Sequence, residues 1–185
     1  MTKAQGQSVF QLRVQLREVD PVVWRRLLVP GKVRLDKLHS MFQAAMGWTD
    51  SHLHCFRIGG LTFGSQYDDY PPEELFEGSV TLLEAIGGER HFVYEYDYGD
   101  GWDHDVVVED FSGLRLGLKF AVCLDGQNAC PPEDCGGPGG YRGMLEALKD
   151  PRHERREGFV AWLGGEFDPA FFELAEANAA LQRVH

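Results

Sequence analysis

The chain has little of what would assign it to several large classes. It has no run near the ~20 apolar residues that a membrane-spanning helix needs, so a protein outside the membrane is expected. Its opening residues, MTKAQGQSVF, contain no apolar signal segment, and a cytoplasmic location is expected from that. It contains no G-x-S-x-G elbow, no G-x-G-x-x-G after a strand, no H-E-x-x-H and no lysine-bearing phosphate loop. Ser51 is the one serine close in sequence to the histidines, and nothing marks it as a nucleophile. Four cysteines in 185 residues are too few for a disulfide scaffold. Three of them, Cys123, Cys130 and Cys135, lie in a Pro/Gly-rich region at C-x6-C-x4-C spacing, which is not that of a zinc ribbon. Reduced space-filling thiols, a metal site and a redox pair all remain open for them.

Basic residues are also scarce. The net charge is −11, but it is divided unevenly along the chain. Residues 1–40 carry eight basic and three acidic side chains, or +5, which leaves −16 for the other 145. An acidic body argues against charge-driven nucleic-acid binding, because phosphate neutralisation supplies most of that affinity. The basic N-terminal edge keeps a local contact open. With 43% hydrophobic and 25% charged residues the composition is globular, and the length is that of one domain, 1–185.

What is present reads as strands first and helices last. Phe10, Leu12, Val14 and Leu16 alternate with Gln11, Arg13, Gln15 and Arg17, a half-buried strand. A second strand is predicted over 22–29. A helix follows over 35–46, with Leu35, Leu38, Phe42, Ala45 and Met46 on one stripe and Gly47 to stop it. Strands are expected at 52–58 and 61–63, a polar excursion at 64–80, a helical turn at 81–86, a hairpin over 91–111 and a strand near 119–123. Helices are expected over 141–148, 153–163 and 169–181, the last with Asp168 as N-cap and Pro169 at its first position. This order predicts an α+β fold, with a mostly antiparallel sheet, helices packed on one face and a helical C-terminal part.

Three segments carry groups capable of chemistry. The hairpin YEYDYGDGWDHDVVVED is expected to turn at Gly99-Asp100 or Asp100-Gly101. Either turn puts Glu95, Asp97, Trp102 and His104 on one face and sets His104 opposite Asp97 or Glu95. A carboxylate beside an imidazole fixes its tautomer and suits a base or a metal ligand; a solvated acidic tip is the plain alternative. His52 and His54 project from one strand face about 7 Å apart, a two-ligand donor for zinc or iron or a simple hydrogen-bonded pair. Cys130-Pro-Pro-Glu-Asp-Cys135 followed by glycines aims Glu133 and Asp134, or caps the next helix.

In combination, Asp20-Pro-Val-Val-Trp-Arg-Arg26, Leu53-His-Cys-Phe56, Tyr96-Asp-Tyr-Gly-Asp-Gly-Trp-Asp-His104, Pro131-Pro-Glu-Asp-Cys-Gly-Gly137 with Gly140-Tyr141, and Phe167-Asp-Pro169 resemble the plasmid pRiA4b ORF-three-like family. That family is also labelled the TnpR passenger family of an insertion sequence. The resemblance covers residues 9–175, with a mild departure at Tyr98, where phenylalanine is expected. It implies that His54, Asp97, Asp100, His104, Glu133 and Asp134 belong to recurring motifs that converge on one polar site. The TnpR label evokes a resolvase, but no helix-turn-helix or catalytic serine arm accompanies it here, and recombinase activity is not carried over.

Two readings of function follow, and neither names a reaction. The first is a site for a small ligand or a divalent metal such as zinc, with His54, His104 and Asp100 as ligands, Asp97 as orienter, and Glu133 and Asp134 as further ligands or acid/base groups. The second is a non-enzymatic accessory domain of a mobile element. It would bind a protein partner or DNA through the basic edge or through the Tyr70-Pro-Pro and Phe76 excursion.

Overall fold

The alternation near the N-terminus builds the centre of a large sheet. In the computed structural model, which describes residues 7–65, 75–115, 118 and 120–184, strand β1 (Gln7–Leu16) buries Phe10, Leu12, Val14 and Leu16. It pairs antiparallel with β2 (Trp24–Pro30) on one side and with the long β7 (Trp102–Arg115) on the other. Beyond β2 lies β8 (Val122–Gln127), and beyond β7 lie β6 (His91–Tyr96), β3 (His54–Ile58), β4 (Leu61–Gly64) and the short β5 (Leu75–Phe76). Only β4 and β5 pair in parallel among the described strands, so the eight-stranded sheet is mostly antiparallel.

Five helices accompany the sheet among the described residues: α1 (Leu35–Met46), α2 (Leu82–Ile86), α3 (Gly137–Lys149), α4 (Arg156–Leu163) and α5 (Leu174–Leu181). None is long and apolar enough to cross a membrane. Helix α1 ends where expected. Gly47 takes a left-handed φ of 93° and its N–H closes the helix on the Gln43 carbonyl at 2.8 Å. The buried face of α1 is not wholly apolar, because His39 and Gln43, one turn apart, lie on it among Leu35, Leu38 and Phe42.

The hairpin β6–β7 departs from the expected register. Tyr96 pairs with Trp102 and Tyr94 with His104, so residues 97–101 form a loop of odd length in place of a two-residue turn. Asp97 (φ 56°) and Gly101 (φ 69°) both adopt left-handed backbone, and the Asp97 carboxylate accepts the N–H groups of Gly99 and Asp100 at 3.0 and 3.3 Å. Because strand side chains alternate, the odd loop moves β6 by one face relative to β7. His104 therefore faces the core opposite Tyr94, between Trp102 and Val106, and does not lie across from Asp97 or Glu95.

Other boundaries move as well. Residues 66–74 of the polar excursion, including Tyr70, Pro71 and Pro72, fall outside the described residues, as does Lys119 of the expected strand there. That strand lies at Val122–Gln127. Asp168 and Pro169 precede α5 without capping it. Asp168 accepts the Ala170 N–H at 2.9 Å, and the Pro169 carbonyl accepts the Ala129 N–H at 3.0 Å. The second bond holds the segment against the loop after β8, and the helix begins only at Leu174.

Two contacts fix the loops around the site. The buried guanidinium of Arg25 donates to the carbonyls of Trp24, Ala45, Gln127 and Asn128 at 2.8–3.0 Å, tying β2 to the end of α1 and the end of β8. A Cβ on Gly137 would sit 2.3 Å from the Asp100 carbonyl oxygen, so the hairpin tip rests directly on the start of α3.

Candidate functional site

Four chain segments converge beside α1. His39 comes from the buried face of that helix and Asp50 from the turn after it. His54 is the first residue of β3, and Glu77 opens a 3-10 turn (Glu77–Ser79) after β5. The His39 and His54 rings stack in parallel, 3.4 Å apart between centroids and 2° between planes. His39 Nε2 lies 2.6 Å from Asp50 Oδ1, and His54 Nε2 lies 2.8 Å from Glu77 Oε2. His39, His54 and Glu77 are all buried, whereas the Asp50 side chain is 56% exposed and opens the group to solvent.

The hydrogen bonds behind His39 fix its resting proton. Gln43 Oε1 accepts the Asp50 N–H at 3.0 Å, so its amide nitrogen faces Tyr94 and donates to the phenol oxygen, also at 3.0 Å. The Tyr94 hydroxyl is then free to donate its own hydrogen to His39 Nδ1 at 2.7 Å. His39 thus carries its hydrogen on Nε2 and points it at Asp50. Burial, reinforced by the neighbouring His54, lowers the His39 pKa to about 4 against the opposing pull of Asp50, so the imidazole is neutral at pH 7. Burial likewise holds the Tyr94 phenol well above its usual range, and it stays protonated.

The group lies in a cleft of about 550 Å³ whose wall also includes Asp36, Lys37, Ser40, Ser51 and Ser65. Neutral imidazoles and carboxylates are the donor types that zinc and similar first-row cations take. One ligand atom each from His39, Asp50 and His54 lies within 4.8 Å of the others. Ligation through His39 Nε2 would require its hydrogen to move to Nδ1, which would then donate to the Tyr94 oxygen in place of accepting from it.

On the other side of residues 50–54, the Pro-Pro-Glu-Asp bend meets the same region. Glu133 accepts the Tyr96 hydroxyl at 2.6 Å and the Thr49 N–H at 3.1 Å, and bonds the Thr49 hydroxyl through its second oxygen. Its pKa is lowered; burial opposes the shift, and the bonds from Thr49 and Tyr96 outweigh it. Burial foremost, then the bond to Glu133, pushes the Tyr96 phenol upward against the opposing bond from the Ser51 N–H. The adjoining Asp134 lies 3.1 Å from His52 Nε2, and Asp97 lies 3.6 Å from the same atom.

The family model of the plasmid pRiA4b ORF-3-like protein matches residues 8–176. The chain belongs to that family. The uncharacterized protein y4hQ of Sinorhizobium fredii (strain NBRC 101917 / NGR234) is 40% identical to this chain over 177 residues, covering 94% of this chain and 91% of that protein. A crystal structure of MM3350, a protein of unknown function from Methanosarcina mazei Go1, matches with a TM-score of 0.84 at 34% identity. It covers 92% of this chain and 98% of the other.

In this pRiA4b ORF-3-like chain the residues singled out from sequence divide among several places. His54 enters the stacked pair. Asp97 and Asp134 meet at His52, and Glu133 is bound to Tyr96 and Thr49. Asp100 accepts the Gly136 N–H at 3.1 Å and joins the hairpin tip to the start of α3. His104 is fully buried, with Nδ1 against the Tyr94 carbonyl at 3.1 Å and its ring edge-on to Trp48. His54, His104 and Asp100 thus form no common ligand set. Among the described residues the close groups of ligand atoms are His39–Asp50–His54 and His52–Asp97–Asp134. No cysteine joins either group. Burial pushes the Cys135 thiol up to about 12 and the Cys130 thiol higher still, so both are protonated thiols at pH 7.

Sequence reasoning missed His39, Asp50 and Glu77. His39 carried a signal, a titratable residue on the apolar stripe of α1 with Gln43 one turn later. Asp50 and Glu77 carried none, because their approach depends on loop paths that no local pattern encodes.

Proposed function

We propose that the protein binds a divalent transition cation of the zinc class through His39, His54 and Asp50, and that the ion serves the adjoining cleft. What supports this reading is that one ligand atom each from His39, Asp50 and His54 lies within 4.8 Å of the others at the edge of a polar cleft. The two rings, parallel at 3.4 Å, would tilt apart so that both in-plane nitrogen lone pairs reach one ion. Two imidazole nitrogens and the Asp50 carboxylate would fill three positions of a tetrahedral shell and leave the fourth open, with Glu77 as the partner of His54 outside the shell. A cation held there would present its open side to the cleft, where the serines and Lys37 offer partners to a small oxygen-bearing ligand.

The alternative, an accessory domain binding DNA through the N-terminal arginines, has less support. Arg26 makes paired bonds to Glu109 at 2.6 and 2.9 Å, and Arg17 bonds Asp105 at 2.6 Å and Asp103 at 3.2 Å. Arg13 and Arg26 also pack over the Trp24 ring. These cations are already engaged by the chain's own acids and by an aromatic ring, so they offer little free charge to phosphate.

Competition against a chromophoric chelator tests the metal reading. Metal-free protein is expected to hold one equivalent of Zn²⁺ at this histidine pair that His39→Ala/His54→Ala removes and Asp50→Asn weakens. Unchanged uptake in both variants would remove the reading.

A further inference from the structure

A second, separate group lies outside the stacked pair. His52 belongs to the link between α1 and β3, Asp97 is the first residue of the β6–β7 loop, and Asp134 lies in the loop before α3. His52 Nε2 is shut off from solvent and makes no directed hydrogen bond, although Asp134 Oδ1 lies 3.1 Å away and Asp97 Oδ2 3.6 Å away. A histidine serving only as a hydrogen-bond partner would aim its nitrogen at one of these oxygens. Here three ligand atoms face one another at ion-binding separations, all within 4.8 Å.

The state of Asp97 points the same way. Its side chain is 10% exposed, and Oδ1 is committed to the N–H groups of Gly99 and Asp100. Oδ2 has no hydrogen bond among the described residues and faces His52. Neither Asp97 nor Asp134 has a lysine or arginine partner among those residues. A largely buried carboxylate without a cation is costly, and a bound ion is one way to offset it.

We propose that His52, Asp97 and Asp134 form a second divalent-cation site, distinct from the His39–His54 centre, that clamps the hairpin tip to the loop preceding α3. One imidazole and two carboxylates suit Mn²⁺ or Zn²⁺, and the two carboxylate charges balance the dication. Asp134 is 72% exposed, so the outer side of the ion remains open to water. The two loops are already held together on both flanks. Asp100 accepts the Gly136 N–H, and Glu133, next to Asp134, is bound to Tyr96 and Thr49. The ion would complete a row of cross-links from Thr49 to Gly136.

The test uses the full chain, stripped of metal and titrated calorimetrically with Zn²⁺ and separately with Mn²⁺. Wild-type protein is expected to bind two equivalents of Zn²⁺. In a His39→Ala/His54→Ala background one equivalent should persist, and adding Asp134→Asn should weaken it on the order of 10–100-fold. Asp50→Asn serves as a second background if the double histidine variant does not fold. Bound ion should also protect the 97–101 and 131–137 loops from limited proteolysis, and Asp134→Asn should abolish that protection. One wild-type equivalent lost entirely with the His39/His54 changes would overturn this site and leave the first centre standing. One equivalent sensitive only to Asp134→Asn would do the reverse, and no binding of either ion would overturn both.

Discussion

The imidazoles of His39 and His54 lie face to face, 3.4 Å apart and 2° from parallel, one delivered by α1 and the other by the first residue of β3. Two protonated imidazoles at that distance would repel strongly, and burial opposes charging His39 as well. Burial thus favours a neutral His39, the form a metal takes.

The Tyr94 hydroxyl is the group that fixes His39. Tyr94→Phe removes one oxygen, leaves Gln43 Nε2 and His39 Nδ1 without that partner, and changes neither side chain's position on its element. Zn²⁺ affinity is expected to fall about 10–100-fold with the fold retained, as measured by chelator competition beside circular dichroism.

His104 sets an acid limit on stability. Burial foremost, only partly opposed by its bond to the Tyr94 carbonyl and the nearby Asp103, lowers its pKa to about 4, with Arg17 acting in the same direction as burial. The unfolded chain takes up the proton near pH 6.5. Above that value the stabilisation is fully present, and it is lost as pH falls towards about 4. Denaturant unfolding of metal-free protein should show about 1.4 kcal/mol lost per pH unit from this one group, and His104→Leu should flatten the slope.

The hairpin tip tests the loop geometry. Gly137→Ala puts a Cβ 2.3 Å from the Asp100 carbonyl oxygen at a position whose φ of 68° already disfavours a side chain. The expected result is a loss of about 2 kcal/mol or more in urea denaturation. Faster hydrogen exchange should be confined to residues 97–101 and the start of α3. Gly139→Ala, which meets nothing within 4 Å, is the control.

Arg25 offers a further check on what holds the framework. Arg25→Met keeps much of the aliphatic stem but strands the carbonyls of Trp24, Ala45, Gln127 and Asn128. Urea denaturation should show a cost of about 3 kcal/mol or more.

The sheet was legible because its strands have one buried face. Phe10, Leu12, Val14 and Leu16 could be read by eye, and Leu35, Leu38 and Phe42 marked the helix period. Register was harder to read. In YDYGDGW the choice between a two-residue turn and the observed 97–101 loop decides which face His104 occupies, and several Gly and Asp positions tolerate left-handed backbone. Convergence was harder still. His54 and His52 are adjacent on one sequence face, yet His54 stacks on His39 while His52 turns towards Asp97 and Asp134. Those partners arrive from loops tens of residues away, and only the packed structure joins them.

Anomalous diffraction at the zinc edge from crystals of metal-loaded protein tests the central claim most directly. The expected result is a strong peak roughly 2.0–2.2 Å from one ring nitrogen each of His39 and His54, with Asp50 as the third protein ligand. Loaded crystals with ordered side chains in this cleft and no anomalous peak beside the histidine pair would contradict it.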